Sequence, residues 1–347
     1  CVLFAHNIIN NYKSKDVYMV EFKIAPSNTG IIAQTFKKIK EITASGSIDI
    51  DTPVRILLAA GKYPGILSYN LPNPLILEGM PGTKPEDIVL LAENCEAFHK
   101  DTENRAVFVI GPNASEVTLR GFTIENTHLK TCDDASLGNQ AEALCFHNQN
   151  GSLLCQNMRF ISRQDTIHVK GFSRFEDCYI TGDIDFIWGY CDTSVWVNCK
   201  IHTREDNRPG VRPAYVVQSR ALNSRPGFIF VDCTFTADKR PEGSELWIGR
   251  SQGTGAKDSV DRWDSIALID CKIDENYDDR IWTDEDGKKT VYPEKGCKDF
   301  GWREFGTKRI NSNGDEIADN TAVRNPHGYF MKKEEADFLR SEFAPSV

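Results

Sequence analysis

One short string recurs along the middle of this chain. Each copy consists of Asp or Asn, then Cys, and then an aliphatic or aromatic residue two positions after the cysteine. The copies contain Cys178, Cys199, Cys233 and Cys271, which are 21, 34 and 38 residues apart, and a degenerate copy, Gln156-Asn-Met-Arg-Phe, precedes them. A step near 20 residues with longer insertions is typical of a strand solenoid, in which each turn supplies one copy and insertions form loops on one side.

The cysteine and the apolar residue two positions later lie on one face of a strand, because side chains alternate between faces. Stacked turns would align them as an internal ladder. We therefore interpret these cysteines as small packed hydrophobic residues rather than as disulfides or metal ligands. A propeller or a sandwich also has many short strands, but neither favours a step of this length.

Helical periodicity is confined to the two ends of the chain. Ile32, Phe36 and Ile39 fall on one side of a helix that starts near Asn28, and a second helical pattern covers residues 332–343. Short apolar segments separated by polar turns fill the region between them. The pattern predicts an all-β, parallel β-helix with an N-terminal cap helix and a C-terminal tail packed on the solenoid.

We predict one domain over residues 1–347. It divides into an N-terminal extension at 1–27, the β-helix region at 28–305 and a C-terminal tail at 306–347. A single β domain of this length is common among solenoids and barrels. The start, Cys1-Val-Leu-Phe, has neither an initiator Met nor a complete signal peptide, so we expect any targeting segment to have been removed or never present.

Charge and hydropathy exclude several classes of protein. The net charge of -9 argues against a nucleic-acid partner, because phosphates favour a basic surface. No apolar run approaches the roughly 18 residues of a membrane span. The seven histidines have no short paired spacing, so we expect no metal site and no cofactor. We also expect a monomer.

Five polar residues in four short strings supply the chemistry. They are Gln140 in Gln-Ala-Glu-Ala, Gln164 and Asp165 in Gln-Asp-Thr-Ile, Asp185 in Gly-Asp-Ile-Asp-Phe-Ile-Trp-Gly, and Arg250 in Trp-Ile-Gly-Arg. Ester hydrolysis needs a nucleophile, a proton source for the alkoxide and donors for the oxyanion. Two carboxylates, two carboxamides and a guanidinium can supply all three without serine, histidine or metal.

In order and spacing, these strings resemble those of the pectin methylesterases (pectinesterases). The resemblance extends from about Asn28 to Phe305. It implies a right-handed parallel β-helix and a cofactor-independent carboxylic ester hydrolase. Such an enzyme removes methyl groups from homogalacturonan and releases methanol and pectate.

The resemblance also implies a role for each of the five residues. Asp185 attacks the methyl ester carbonyl and forms an acyl anhydride, and Asp165 acts first as general acid and then as general base. Arg250 keeps Asp185 ionised and oriented through a charge-assisted hydrogen bond. The amides of Gln140 and Gln164 hold the oxyanion.

Three further residues, Tyr63, Trp188 and Gln252, are expected to contact substrate. Tyr63 lies in Gly-Lys-Tyr-Pro-Gly, where the family has a glycine-x-tyrosine turn, and Trp188 replaces the commoner phenylalanine. Ser251 and Gln252 follow Gly-Arg where the family commonly has Pro-Trp. Because that tryptophan normally lines the sugar site, the sugar contacts of this chain should differ.

Other readings remain open. A β-helix esterase or thioesterase acting on a non-pectin acyl substrate keeps the same site, and Ser251 favours it. A catalytically silent polysaccharide-binding β-helix is a third reading, which intact Asp165, Asp185 and Arg250 argue against. Residues 249–253 also fit G-x-S-x-G, but no helix pattern follows as a nucleophile elbow requires. Secretion or cell-surface display follows only from the extracellular location of the polymer.

Overall fold

The structure is a computed structural model, and it describes residues 10–14, 17–26, 30–131, 138–253 and 262–344. Nearly all strand pairs are parallel, and the chain coils through three faces in each turn. This arrangement confirms the predicted parallel β-helix. Two of the faces form one continuous sheet, because two long strands bend from one face to the next.

That sheet has eighteen strands. In chain order they are β1 (Asn10–Ser14), β2 (Val17–Ile24), β3 (Val54–Leu58), β5 (Leu67–Tyr69), β6 (Leu75–Gly79), β8 (Phe108–Ile110), β9 (Glu116–Arg120), β11 (Leu144–Phe146), β12 (Ser152–Gln156), β14 (Ile167–Glu176), β16 (Ile184–Val197), β18 (Ala214–Ser219), β19 (Gly227–Val231), β21 (Leu246–Arg250), β22 (Ile266–Ile269), β24 (Trp282–Thr283), β25 (Trp302–Phe305) and β28 (Tyr329–Phe330).

The third face is a separate sheet of ten strands. These are β4 (Gly61–Pro64), β7 (Ile88–Ala92), β10 (Thr123–Asn126), β13 (Arg159–Ile161), β15 (Tyr179–Gly182), β17 (Lys200–Thr203), β20 (Thr234–Ala237), β23 (Lys272–Asp274), β26 (Lys308–Ile310) and β27 (Glu316–Ile317). We call this sheet face 3.

The eighteen-stranded sheet supplies faces 1 and 2. Face 1 contains β5, β8, β11, the first halves of β14 and β16, β18, β21 and β24. Face 2 contains β2, β3, β6, β9, β12, the second halves of β14 and β16, β19, β22, β25 and β28. The bend in β14 falls at the register shift between Gly171 and Phe172.

The recurring cysteine string forms the corner between faces 2 and 3. Asp177, Asn198, Asp232 and Asp270 have φ between 51 and 55°, a left-handed conformation that Asp and Asn adopt more readily than other side chains. The cysteine after each of them is buried inside the solenoid. None of the nine cysteines in the described part of the chain forms a disulfide. The predicted internal ladder is therefore confirmed.

Most insertions lie at the two edges of face 1. The corner between faces 2 and 3 is only two residues long in every turn from Gly121 onward, whereas the chain enters face 1 through loops such as 93–107, 204–213 and 238–245. A long segment also leaves face 1 before β25. Loops therefore flank face 1 on both sides.

Helix α1 (Ile31–Ala44) packs on the N-terminal end of the solenoid, as predicted. It buries Ile32, Phe36 and Ile39, and the Phe36 ring contacts Tyr69 and Phe108 of face 1 at centroid distances of 5.0 and 6.2 Å. Covering these rings with an amphipathic helix removes the open end of the apolar interior from water.

Helix α2 (Lys333–Phe343) packs on the outer side of face 2, as expected for the C-terminal tail. Ala336 and Leu339 contact apolar residues of β16, β19 and β22. Arg340 forms ion pairs with Asp232 and Asp270, two aspartates of the cysteine-string corner. The helix therefore closes a face that would otherwise expose apolar side chains.

The predicted boundaries of the solenoid need correction. Strand β2 pairs in parallel with β3, so the first turn of the solenoid lies inside the segment expected to be an extension. The alternation of buried Val20, Phe22 and Ile24 was the signal for this strand. At the other end, β26 extends face 3 beyond Phe305. Cys1 lies outside the described residues.

Candidate functional site

Asp165 and Asp185 lie on adjacent turns at the corner where the chain enters face 1. Both have left-handed backbone conformations, with φ of 62 and 47°. Single bridges join Gln140 to Gln164 and Gln164 to Ile184, and Asp165 N donates to Ile184 O at 3.0 Å. Gln164 and Ile184, which precede the two aspartates, are therefore paired across adjacent strands. Adjacent strands lie about 4.8 Å apart, so the two aspartates are one strand spacing from each other.

The local sequence around Asp185 fits this geometry. A Cβ at Gly182 would lie 2.1 Å from Phe186 Cβ, and a Cβ at Gly189 would lie 1.9 Å from Val169 O. The register between β16 and β18 also shifts between Ile184 and Ile187, and such irregularities re-aim side chains next to active sites. The two glycines thus permit the close packing that fixes Asp185.

Arg250 forms a bidentate ion pair with Asp185. Its Nε lies 2.7 Å from Asp185 Oδ1, and its Nη2 donates to Asp185 Oδ2. The Tyr215 ring lies under the guanidinium at 4.4 Å, and Gln218 Nε2 donates to Asp185 Oδ2 at 3.0 Å. Burial opposes the charge of Arg250, but Asp185 outweighs it and raises the pKa of the guanidinium. These contacts fix the orientation of the Asp185 carboxyl group.

Asp165 has a different environment. Its Oδ2 accepts a hydrogen bond from Arg105 Nη2 at 2.9 Å, and Arg105 also binds the fully buried Glu142. Burial and the neighbouring Glu142 raise the pKa of Asp165 well above its usual value, while Arg105 opposes the rise. The two aspartates therefore have different surroundings: Asp165 favours its protonated form, as a general acid requires, whereas Asp185 is bound by a guanidinium.

The two predicted amides are brought to the same corner. Gln140 and Gln164 are half-buried and pair in parallel register, so their side chains lie on the same side of adjacent turns. Gln140 Oε1 is buried and accepts no hydrogen bond from the described residues. The five predicted catalytic residues thus lie on four of five successive turns. Arg250, on β21, reaches back across the β18 turn to Asp185 on β16.

Trp188 is also at the site. It is in register with His168 and Gln218 on face 1, and its ring stacks on His168 at 4.1 Å. The Arg220 guanidinium lies 4.9 Å from the Trp188 ring centroid, and Arg220 donates to Gln218 Oε1. Trp188 is only 5% exposed, so its ring lies beneath Arg220 beside Asp185 and leaves little surface for a sugar.

Tyr63 is not at the site, which corrects the expectation that it contacts substrate. It lies in β4 of face 3, only 4% exposed, and its hydroxyl donates to Ala59 O at 2.8 Å. The side chain points inward because alternate residues of a strand face the core. Gln252 follows Arg250 by two positions, where the chain leaves face 1, and is half-buried.

Ser251 is a structural residue. It is fully buried, and its Oγ lies 2.9 Å from both Asp264 Oδ2 and Thr290 O. Burial raises the pKa of Asp264 to about 7. A hydroxyl without contact to solvent or to a histidine cannot act as a nucleophile elbow serine.

Several residues near the site were missed by the sequence interpretation. Arg105, Glu142 and Gln218 contact the two predicted catalytic aspartates or their partners. Asp183 is fully buried, and Lys130 Nζ lies 2.6 Å from its Oδ1. The position of Glu142 inside the Gln140 string was the only local signal, since its partner Arg105 lies 37 residues earlier.

Two general features bear on ligands. In the part of the chain that the structure describes, no three His, Cys, Asp or Glu side chains are grouped as metal ligands would be. Neither helix within the described ranges is long and apolar enough to cross a membrane.

Known proteins share this fold. Pectin methylesterase PemA from Erwinia chrysanthemi superposes with a TM-score of 0.67 at 17% identity, covering 97% of this chain and 100% of that chain. A pectin methylesterase in complex with a hexasaccharide gives 0.66 at 18% identity, with coverages of 97% and 100%. At these identities the likeness shows the fold, and it confirms the right-handed parallel β-helix.

Sequence comparison gives the family. Pectinesterase 1 from Olea europaea is 30% identical over 226 residues, which are 64% of this chain and 57% of that protein. The chain thus spans just over half the length of the curated relatives it matches. The family model described as Pectinesterase matches residues 34–291. The chain belongs to the pectinesterase family, as the resemblance of its motifs indicated.

Proposed function

We propose that this chain hydrolyses the methyl esters of homogalacturonan to pectate and methanol. One observation supports this most strongly: an Asp185 carboxylate held by Arg250 lies one turn from an Asp165 carboxyl whose pKa is raised. A carboxyl that favours its protonated form, next to one that a guanidinium orients, suits a general acid paired with a nucleophile. Membership of the pectinesterase family supports the ester as substrate.

In the proposed reaction, Asp185 attacks the ester carbonyl carbon and forms an anhydride with the galacturonyl group. The amides of Gln140 and Gln164 donate to the oxyanion, and Asp165 gives its proton to the departing methoxide. Asp165, now a carboxylate, takes a proton from water, which attacks the anhydride and releases Asp185. Arg250 stabilises Asp185 as leaving group and as nucleophile.

We place the polysaccharide partner along face 1. A related pectin methylesterase binds a hexasaccharide, and the half-buried Arg220, stacked on the Trp188 ring, offers a cationic group next to Asp185. We infer secretion or cell-surface display from the extracellular location of such a polymer. We also propose that the enzyme is a monomer. The burial of Ser251 argues against a serine hydrolase that would use this residue as nucleophile. The alternative that keeps the Asp185 site but acts on a non-pectin ester or thioester is separated by its substrate.

Methanol release from highly methylated pectin tests the proposal. We expect turnover with pectin and none with an acyl thioester of similar size. Thioester turnover without methanol release from pectin would establish the alternative esterase. Binding of pectin without any hydrolysis would establish a catalytically silent β-helix.

Gln140→Ala should lower kcat by about 10²–10³-fold, because one oxyanion donor is removed. KM should change little, since the donor acts mainly on the transition state. Steady-state kinetics on methylated pectin measure both constants. Equal loss of substrate binding and of kcat would place Gln140 in ground-state recognition instead.

Exhaustive chelation should leave turnover unchanged, because side chains fill every role in the proposed reaction. The measurement is methanol release before and after dialysis against a chelator. Activity that disappears and returns with calcium, together with unsaturated products that absorb in the ultraviolet, would indicate a lyase.

A further inference from the structure

Arg105 and Glu142 form a buried ion pair directly behind Asp165. Arg105 Nε lies 2.9 and 2.8 Å from the two Glu142 oxygens, and Nη2 lies 2.8 Å from Glu142 Oε1. The same Nη2 donates to Asp165 Oδ2 at 2.9 Å. Glu142 is wholly inaccessible and the Arg105 side chain is 6% exposed. One guanidinium therefore serves two buried carboxyls.

The backbone holds Arg105 in place. Asn94 Nδ2 donates to the carbonyls of Asn104 and Ala106, on either side of Arg105, at 3.0 Å each. Both partners of the ion pair also lie on neighbouring turns, since Val107 N donates to Glu142 O at 3.0 Å. The guanidinium thus has little freedom to leave Asp165.

The charges around Asp165 are nearly balanced. Arg105 and Arg220 are the cations that act on it, and Glu142 and Asp185 are the anions. Glu96 also reaches Arg105 at 3.3 Å from a partly exposed position. A cation next to a carboxyl without a counter-ion lowers the carboxyl pKa by about 1–3 units. The Glu142 carboxylate offsets the lowering of the Asp165 pKa by Arg105. Arg250 likewise offsets the effect of the Asp185 charge on Asp165.

We propose that the Arg105–Glu142 pair positions Asp165 as the acid: the guanidinium binds Oδ2, which leaves the transferable proton on Oδ1, and Glu142 balances the guanidinium so that Asp165 stays protonated in the free enzyme. The proton passes from Oδ1 to the methoxide oxygen as its bond to carbon breaks, and Oδ1 regains a proton from the attacking water. The inference rests on the proposed acid–base role of Asp165.

Two substitutions separate the two functions of the pair. Glu142→Gln keeps the shape but leaves the Arg105 charge unbalanced, so the pKa of Asp165 falls. Because Asp165 must hold a proton to act as acid, the alkaline limb of kcat should move to lower pH by about one unit. Arg105→Lys keeps the charge but loses the paired N–H donors of the planar guanidinium. We therefore expect kcat to fall about tenfold while the alkaline limb stays in place.

Glu78→Gln is the matched control. Glu78 is also buried and paired with an arginine, Arg55, but it lies on face 2. Its substitution should leave kcat and the alkaline limb unchanged. Thermal unfolding of each variant verifies that the fold persists.

An NMR titration of the Asp165 carboxyl carbon measures the same change in the Asp165 pKa without substrate. The resonance is assigned by its loss in Asp165→Asn. If Glu142→Gln left both the alkaline limb of kcat and the titration of the Asp165 carbon at their wild-type pH, the charge-balancing function would be overturned. Wild-type kcat in Arg105→Lys would overturn the positioning function. If the wild-type protein released no methanol, the proposed function would fail, while the carbon titration would still decide whether Glu142 controls the Asp165 proton.

Discussion

Asp185→Asn is expected to reduce ester hydrolysis by on the order of 10⁴-fold or more, the usual result of removing a catalytic nucleophile. An amide cannot form the anhydride, and Arg250 would lose the carboxylate that it binds in bidentate fashion. Methanol release under saturating pectin measures the effect. The loss should exceed that of Gln140→Ala, which removes one donor and leaves the nucleophile intact.

Ser251→Ala is the matched control for this prediction. Ser251 lies next to Arg250 in the chain, but its hydroxyl is buried against Asp264. We expect it to retain activity, with at most a modest loss of stability. If Asp185→Asn kept more than a few per cent of activity while Ser251→Ala was inactive, the protein would instead be a serine enzyme.

Asp165→Asn is expected to lower methanol release by about 10²–10⁴-fold, since both the acid and the base functions are lost. The effect should depend on the leaving group. An activated aryl ester of galacturonate releases phenolate without needing a proton, so acylation should persist while deacylation slows. Stopped-flow spectroscopy should then record a burst of phenolate close to the enzyme concentration, followed by slow turnover.

The aryl ester also provides the control. Asp185→Asn should give no burst, because no acyl enzyme can form. Equal loss on methyl and aryl esters in Asp165→Asn, without a burst, would contradict the acid function. It would assign Asp165 a purely structural role at its left-handed turn.

The sequence predicted the fold well because the cysteine string recurs at the corner between faces 2 and 3 in four turns. Asp177 and its counterparts adopt the left-handed turn, and the following cysteine packs inward, so one local pattern reports both turn and core. The five predicted catalytic residues come together for a similar reason. Strings that recur one turn apart, such as those of Gln164 and Ile184, become neighbours in a solenoid.

What the sequence could not predict depends on contacts between distant segments. Arg105 reaches Asp165 across 60 residues of sequence from a loop that has no recurring pattern. Tyr63 was misplaced because a turn-like string was interpreted as surface, whereas its strand directs the side chain inward. Strand β2 was missed because the prediction began at the helix that follows it.

The central claim is that Asp185 becomes covalently acylated. Asp165→Asn, quenched in acid during the burst with the aryl ester, should carry one galacturonyl group by intact-protein mass spectrometry. Peptide mapping should place it on the segment that contains Asp185, and the double variant Asp165→Asn/Asp185→Asn should carry none. An unmodified protein after a full burst, or an adduct on the segment that contains Ser251, would contradict the claim.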